Sequence, residues 1–294
     1  MKKFIINPHP LDYKIEEYIS KSLNLIPPYS YSQMSKKEFE KIKINIIKKF
    51  NLDNPENPEN PNNSDILENF NYIKQIRSNI VKEHMIYSHQ RLIKLSKNII
   101  RDYFNHINIL ELSKKYDGSP LNILRIVFEY KYNKKLSKII SSNEISNSYD
   151  QIQLKIGLSN DIYALVDQTS ILAKSIEFEN DIKIILDENL IKYKTQEILV
   201  QEQINKSGFA SNTPDFLILD NLIINNNIVK WIDAKNFFGS NIKWNKKKIY
   251  KQTLKYIKEW GPGLIVFRNY SSKLSFDSIQ LVDYKSFKNL KKVN

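Results

Sequence analysis

The sequence contains no cysteine among its 294 residues. That excludes a framework of disulfides, and it excludes zinc ribbons or fingers built on thiolates. Histidine is scarce too. His9, His84, His89 and His106 make up the full set, and none sits in an HExxH or comparable ligand spacing. His84 and His89 are five residues apart, off a shared helical face, and read as ordinary helix positions. No stretch approaches the roughly 18 apolar residues that a transmembrane helix needs. The opening MKKFIINPHP carries two lysines, but its apolar run is three residues long and ends at Asn7-Pro8, too short for a secretory signal. The expectation is a soluble, intracellular protein of the cytosol or nucleus.

What is abundant is positive charge. Lys and Arg number 45 against 32 Asp and Glu, a net +13. Such an excess attracts polyanions and speeds their arrival. Nucleic acid fits, as does an anionic membrane surface, and so does the plain lysine and asparagine richness of an AT-rich genome. Hydrophobic residues at 41% mark a globular chain, long enough for one large domain or two modest ones.

Residues 11–50 read as helices: Leu11, Ile15, Tyr18, Ile19 and Leu23 recur at helical spacing. Pro27-Pro28 interrupts them, and a second helix runs from about Ser35, a plausible N-cap, to Phe50. Residues 51–64, NLDNPENPENPNNS, form a disordered Asn-Pro spacer, because prolines remove donors and asparagines favour turns. One long helix or two follow over 65–105. Residues 108–132 divide into a short helix, a turn at Asp117-Gly118-Ser119-Pro120 and a second helix. Gly118 suits the turn, Ser119 the cap and Pro120 the first helical position. This is the shape of a helix-turn-helix, with Lys114, Lys115, Arg125 and Lys131 as DNA-contacting candidates. The same shape also serves as an αα-hairpin scaffold.

Residues 141–157 are polar and turn-rich, a reasonable boundary between a helical region, 1–145, and a second domain, 158–294. The texture then changes. Helical periodicity to about 190 gives way to strands at 197–202, 215–221, 228–235, 263–270 and 278–283, with a lysine-rich helix near 245–260. The order implies an α/β architecture with a mixed sheet and flanking helices.

The strongest chemical signal is Thr213-Pro214-Asp215, with Asp215 eighteen residues before the Asp233 of Asp233-Ala234-Lys235. A turn at Asn225-Asn226-Asn227 folds the two strands into a hairpin. Antiparallel partners lie about 5 Å apart, so Asp215 comes beside Asp233. Asp233 and Lys235, two apart in a strand, share a face. Phosphodiester hydrolysis uses such a set. Two carboxylates hold a hard divalent cation, Mg²⁺ or Mn²⁺, which polarises the phosphoryl group and stabilises the leaving oxygen. A lysine beside them orients or deprotonates water and offsets developing charge. Asp-X-Lys alone is a common strand end. The hairpin spacing and apolar strands raise it to the PD-(D/E)XK pattern. A third carboxylate, Glu177 or Glu179, should come from SIEFENDIKIILDENL. Glu179 keeps better phase with Ile182, Leu186 and Leu190 and is preferred as the metal ligand. Either could equally be an ordinary helix-dipole acid. In the following helix Gln252 and Tyr256 share a face. Lys246, Lys247, Lys248, Lys251 and Lys255, with Lys243, make it basic enough to track phosphates, although a solvated helix face looks the same.

The runs TPDF, WIDAKNFFG and QTLKY leading into GPGL together resemble the codanin-interacting nuclease family. The residues that carry this are Thr213, Pro214, Asp215, Phe216, Trp231, Ile232, Asp233, Lys235, Phe238, Gly239, Gln252, Tyr256, Gly261, Pro262, Gly263 and Leu264. No catalytic requirement dictates Trp231 or the Gly-Pro-Gly, so the match is specific. Weaker similarity extends upstream, through Glu177, Glu179 and the helix-turn-helix. Asp233 stands where close relatives have Glu, and the superfamily accepts either. The resemblance implies a restriction-endonuclease-like domain behind all-α, helix-turn-helix segments. It implies a catalytic role for Gln252 and Tyr256, residence in nucleus and cytoplasm, and a codanin-like partner. The expected activity is metal-dependent hydrolysis of nucleic acid, DNA before RNA and structured DNA in particular. The competing expectation is a catalytically silent binding module acting through that partner.

Overall fold

The computed structural model describes residues 1–52, 70–142, 145–164 and 168–293. The Asn-Pro spacer falls outside these residues, apart from Asn51 and Leu52, which form a turn. The chain divides into two compact units interleaved in sequence. One comprises Met1–Tyr18, Ile46–Ile76 and Gln168–Asn294, the other Ile19–Asn45 and Arg77–Asp167.

The first unit is a mixed α/β structure around one sheet. In chain order its strands are β1 (Lys2–Ile5), β2 (Tyr193–Thr195), β3 (Phe216–Ile224), β4 (Asn227–Gly239), β5 (Gly263–Tyr270), β6 (Ile279–Asp283) and β7 (Lys291–Val293). They are ordered β6-β5-β4-β3-β1-β7, with β2 also paired to β3. β3 and β4 form the expected antiparallel hairpin. Its turn residues Asn225 and Asn226 take φ of 49° and 63°, the left-handed conformation that a tight hairpin demands and asparagine tolerates. β4, β5 and β6 run parallel. The region ahead of the sheet is not all-α, because β1 joins the sheet parallel to β3. Four residues with one buried side chain, Phe4, are too little pattern to read as a strand.

Helices cover both faces. On α9 (Gln168–Glu188), Phe178, Ile182 and Leu186 recur every fourth residue and pack on Ile232, Leu264 and Val266. On α11 (Lys243–Trp260), Ile249 and Tyr256 pack with Trp231, Ile265 and Phe267 on the opposite face. One expectation is corrected. Residues 197–202 are not a strand but part of helix α10 (Gln196–Ser207). The run Ile198-Leu199-Val200 suggested a buried strand, yet Leu199 is buried while Ile198 is 44% exposed. Short apolar runs cannot be assigned by periodicity alone.

The second unit is helical. It takes in parts of α1 (Tyr13–Ser22), α2 (Lys36–Phe50) and α3 (Asn71–Lys94). It also holds α4 (Ser96–Phe104), α5 (Ile109–Tyr116), α6 (Pro120–Tyr132), α7 (Leu136–Ser142) and α8 (Ser148–Asn160). The polar stretch 141–157 thus contains most of a helix packed on α6. α5 and α6 form the expected pair. Ser119 accepts from Asn122 N, and Pro120 opens α6. The left-handed turn residue is Asp117, φ 46°, rather than Gly118. Gly118 answers to space instead, since a Cβ there would lie 2.9 Å from Leu92. α6 buries Leu121, Ile123, Leu124, Val127 and Phe128. Lys131 and Lys115 are tied to the buried carboxylates of Asp150 and Asp102, at 2.6 and 2.5 Å. Two of the four cations that suggested DNA contact are therefore engaged in holding the helices together.

Candidate active site

The site is built at the start of the β3–β4 hairpin. Phe216 pairs with Ile232 and Leu217 with Trp231, so Asp215, one step before the strand, stands across from Asp233. Asp215 Oδ2 accepts from Ala234 N at 2.6 Å, which fixes the carboxylate against β4. Asp233 is fully buried. Its Oδ2 lies 2.5 Å from Lys235 Nζ, whose side chain is 14% exposed. Asp233 Oδ1 is buried without a hydrogen-bond partner. A buried carboxylate oxygen normally has one, since an unsatisfied group costs about 1–3 kcal/mol or more.

The charges act on one another. Burial, then the Asp233 charge, raises the Asp215 carboxyl well above the usual aspartate range, while Lys235 and the Ala234 amide oppose this. Burial disfavours the Lys235 ammonium, but Asp233 and Asp215 outweigh it and hold the lysine above its ordinary value. Glu179 is half-buried. Burial raises its carboxyl, followed by the charges of Glu197 and Asp233. Glu177 is exposed. Glu179 thus senses the Asp233 charge while Glu177 faces solvent, and among the described residues no three Asp, Glu or His side chains converge on one metal position.

Gln252 and Tyr256 also belong here. Gln252 Nε2 donates to the Tyr256 hydroxyl at 2.9 Å, and that hydroxyl reaches Thr213 O at 3.3 Å. The pair braces the turn that delivers Asp215. Burial and the Asp233 charge push the Tyr256 phenol up to about 12, so it keeps its proton at neutral pH. Along α11, Lys247, Lys248, Lys251 and Lys255 are exposed and Lys246 is half-buried. Among the described residues none of the five pairs with a carboxylate. Arg125 lies on α6, in the other unit.

Two contributors escaped the sequence reading. Gln196, at the start of α10, donates its N–H to Asp215 O at 3.1 Å and its side chain to Thr213 O at 3.1 Å. Glu197, beside it, supplies the largest charge acting on Glu179. The available signal was Thr195 followed by an acid within the first turn, a helix start.

The donor set fits a divalent cation. Mg²⁺ keeps several waters and is commonly held by one or two carboxylates plus substrate phosphate, not by an all-protein cage. Asp215 and Asp233, with an oxygen left over, meet that description as a pair of carboxylates.

The raised Asp215 carboxyl has a consequence for stability. A carboxyl that holds its proton more tightly when folded stabilises the fold at low pH, and that stability is lost as pH rises from about 4 through the raised value. Asp215→Asn cannot ionise. At pH 7 in EDTA the variant is expected to melt roughly 2–4 °C above the parent. The difference should shrink toward pH 4, as read by circular dichroism. A lower melting point at both pH values would show that the carboxylate is not electrostatically strained.

Comparison with known proteins places these residues in a wider set. The family described as "Protein of unknown function TPD sequence-motif" matches residues 148–278, which span α8 to the loop before β6. CDAN1-interacting nuclease 1 of Bos taurus is 24% identical over 206 residues, 67% of this chain and 71% of that protein. Its counterpart in Mus musculus is 25% identical over 169 residues, 54% of this chain and 58% of that protein. An uncharacterized protein of Acanthamoeba polyphaga mimivirus is 27% identical over 232 residues, 65% of this chain and 82% of that one. No solved structure matches.

Proposed function

The chain belongs to the family of CDAN1-interacting nuclease 1, and from that premise we propose that it is a metal-dependent nuclease of the PD-(D/E)XK type acting on structured DNA. The observation that carries the reading is the unpartnered Asp233 Oδ1 beside Asp215 and Lys235. A buried oxygen without a donor is what a carboxylate looks like when its partner is a cation.

Asp215 and Asp233 would hold Mg²⁺ or Mn²⁺, with Glu179 as third carboxylate. The ion supplies charge to a phosphoryl oxygen and to the leaving oxygen. Asp233 keeps Lys235 protonated and in place, so that its ammonium faces the negative charge that builds on the phosphoryl group. Gln252 and Tyr256 act as positioning residues, holding the Thr213 carbonyl and so the turn before Asp215. Lys246, Lys247, Lys248, Lys251 and Lys255, none of them paired with a carboxylate among the described residues, present positive charge along one helix for the phosphates that flank the scissile bond. The Bos taurus and Mus musculus relatives are named for an interaction with CDAN1. A codanin-like partner, and residence in nucleus and cytoplasm, belong to the proposal.

The test is incubation of the full chain with labelled duplex, forked, four-way-junction and single-stranded DNA, in Mg²⁺, Mn²⁺ or EDTA. Cleavage in metal and none in EDTA is expected, strongest on branched substrates. Cleavage that persists in EDTA, or inactivity on every DNA and RNA, would overturn the reading. The second outcome leaves the partner-binding role as the function.

A further inference from the structure

The helical unit contains a cavity of about 640 Å³ between the N-terminal end of α2, the segment before it and α3. Arg77 lines it and is 2% exposed. Its Nη1 donates to Ser32 O at 2.8 Å and to the Tyr163 hydroxyl at 3.0 Å, and its Nη2 to Tyr29 O at 2.8 Å. Its Nε is buried without a partner. Among the described residues no carboxylate lies within ion-pair distance of this guanidinium. The nearby acids are committed elsewhere. Asp161 takes the N–H groups of Leu121, Tyr163 and Ala164 and the Ser119 hydroxyl. Glu38, on the cavity wall, accepts from Asn24 N at 3.2 Å. A buried cation facing only neutral dipoles is costly unless an anion joins it.

The rest of the wall is suited to an anion. Lys37 and Lys41 are exposed at the cavity and stand one turn apart on α2. The N-terminus of that fifteen-residue helix, capped by Ser35, adds the positive end of its dipole. Tyr29, 67% exposed, offers a ring at the rim. The volume is far beyond what one inorganic ion fills and lies in the range of small-molecule sites.

We propose that this cavity is a binding site for a phosphate-bearing anion of nucleotide size. Arg77, Lys37 and Lys41 counter the phosphate, and the Tyr29 ring lies against the remainder. The site stands independently of the nuclease reading. It gives the helical unit a ligand of its own, one that Arg77 couples directly to the backbone of residues 29–32.

The experiment is isothermal titration calorimetry of the full chain in EDTA with adenosine 5′-monophosphate, inorganic phosphate and adenosine. Saturable binding of one monophosphate per chain is expected, with phosphate weaker and adenosine silent. The Lys37→Ala, Lys41→Ala double variant should weaken binding roughly tenfold, and Arg77→Met should abolish it. Lys235→Met, in the other unit, should leave it unchanged. Should Arg77→Met fail to fold, the Lys37→Glu, Lys41→Glu pair must abolish binding instead. Absence of saturable binding would overturn the proposal, as would equal affinities for phosphate and monophosphate. So would loss of binding in Lys235→Met with retention in the α2 variants, which would assign the ligand to the nuclease site.

Discussion

Asp233→Asn is expected to slow single-turnover cleavage of a labelled branched DNA by about 10³-fold or more while lowering the melting temperature less than Asp233→Ala does. The two halves of this expectation have separate causes. Asn is isosteric, so the packing of a fully buried position is unchanged. It offers one carbonyl oxygen where the native residue offers two anionic ones, and a cation gains much less from it. The same change weakens the hold on Lys235, whose raised proton affinity owes most to Asp233. Asp233→Ala is a poorer probe. It leaves Lys235 Nζ, now 2.5 Å from a carboxylate, facing an empty space. Breaking a buried pair by removing one member costs about 3 kcal/mol or more, so lost activity and lost structure would be confounded. Retention of near-parental cleavage in Asp233→Asn would move the chemistry away from this hairpin.

Gly263→Ala should be the most damaging small substitution in the first unit, destabilising it by about 3 kcal/mol or more in urea unfolding. A Cβ at this position would lie 2.1 Å from Trp231 Cε2 and 2.2 Å from Cδ2. The indole cannot retreat. Its Nε1 donates to Gly261 O at 2.9 Å, and its ring meets the edge of Tyr256 at 5.3 Å between centroids. Displacing it would drive Tyr256 off the Thr213 carbonyl and loosen the turn that carries Asp215. Cleavage should therefore fall along with stability. The Trp231→Leu, Gly263→Ala double variant separates clash from backbone effect. Coupling of 1 kcal/mol or more, roughly, is expected between two residues in such contact. Additive effects would mean that the glycine is needed for its backbone and not for the ring it faces.

The juxtaposition of the candidate residues was legible because it is local in sequence. Asp233 and Lys235 are bound together by strand periodicity. Asp215 reaches them through a hairpin whose turn residues announce themselves, since consecutive asparagines tolerate positive φ. Strands β3, β4 and β5 were legible for a related reason: they are runs of eight residues or more, rich in Ile, Leu, Val and Phe, and β6, IQLVD, is apolar at three of its five positions. The short strands β1, β2 and β7, of three or four residues each, carry too little pattern to register. Their place is set by partners far off in the chain, as when Lys2 pairs across from Leu222. Residues 197–202 misled because their apolar run is one turn of a helix with Leu199 inward and Ile198 outward.

By itself, then, the sequence determined the acidic hairpin, its lysine, the basic helix after it and the cap and turn chemistry of the helix pair, because each is a short-range matter of period, φ and capping. Only the tertiary structure decided which charges are free to act. Lys115 and Lys131 look like DNA ligands until Asp102 and Asp150 are seen to hold them. Nothing in the sequence marks Arg77, yet it is buried with no carboxylate among the described residues within ion-pair distance. The Gly-Pro-Gly looks like a bare turn until Trp231 is seen lying on Gly263. Each outcome depends on a neighbour 13 to 86 residues away in the chain, and a contact of that range leaves no periodic trace in the sequence.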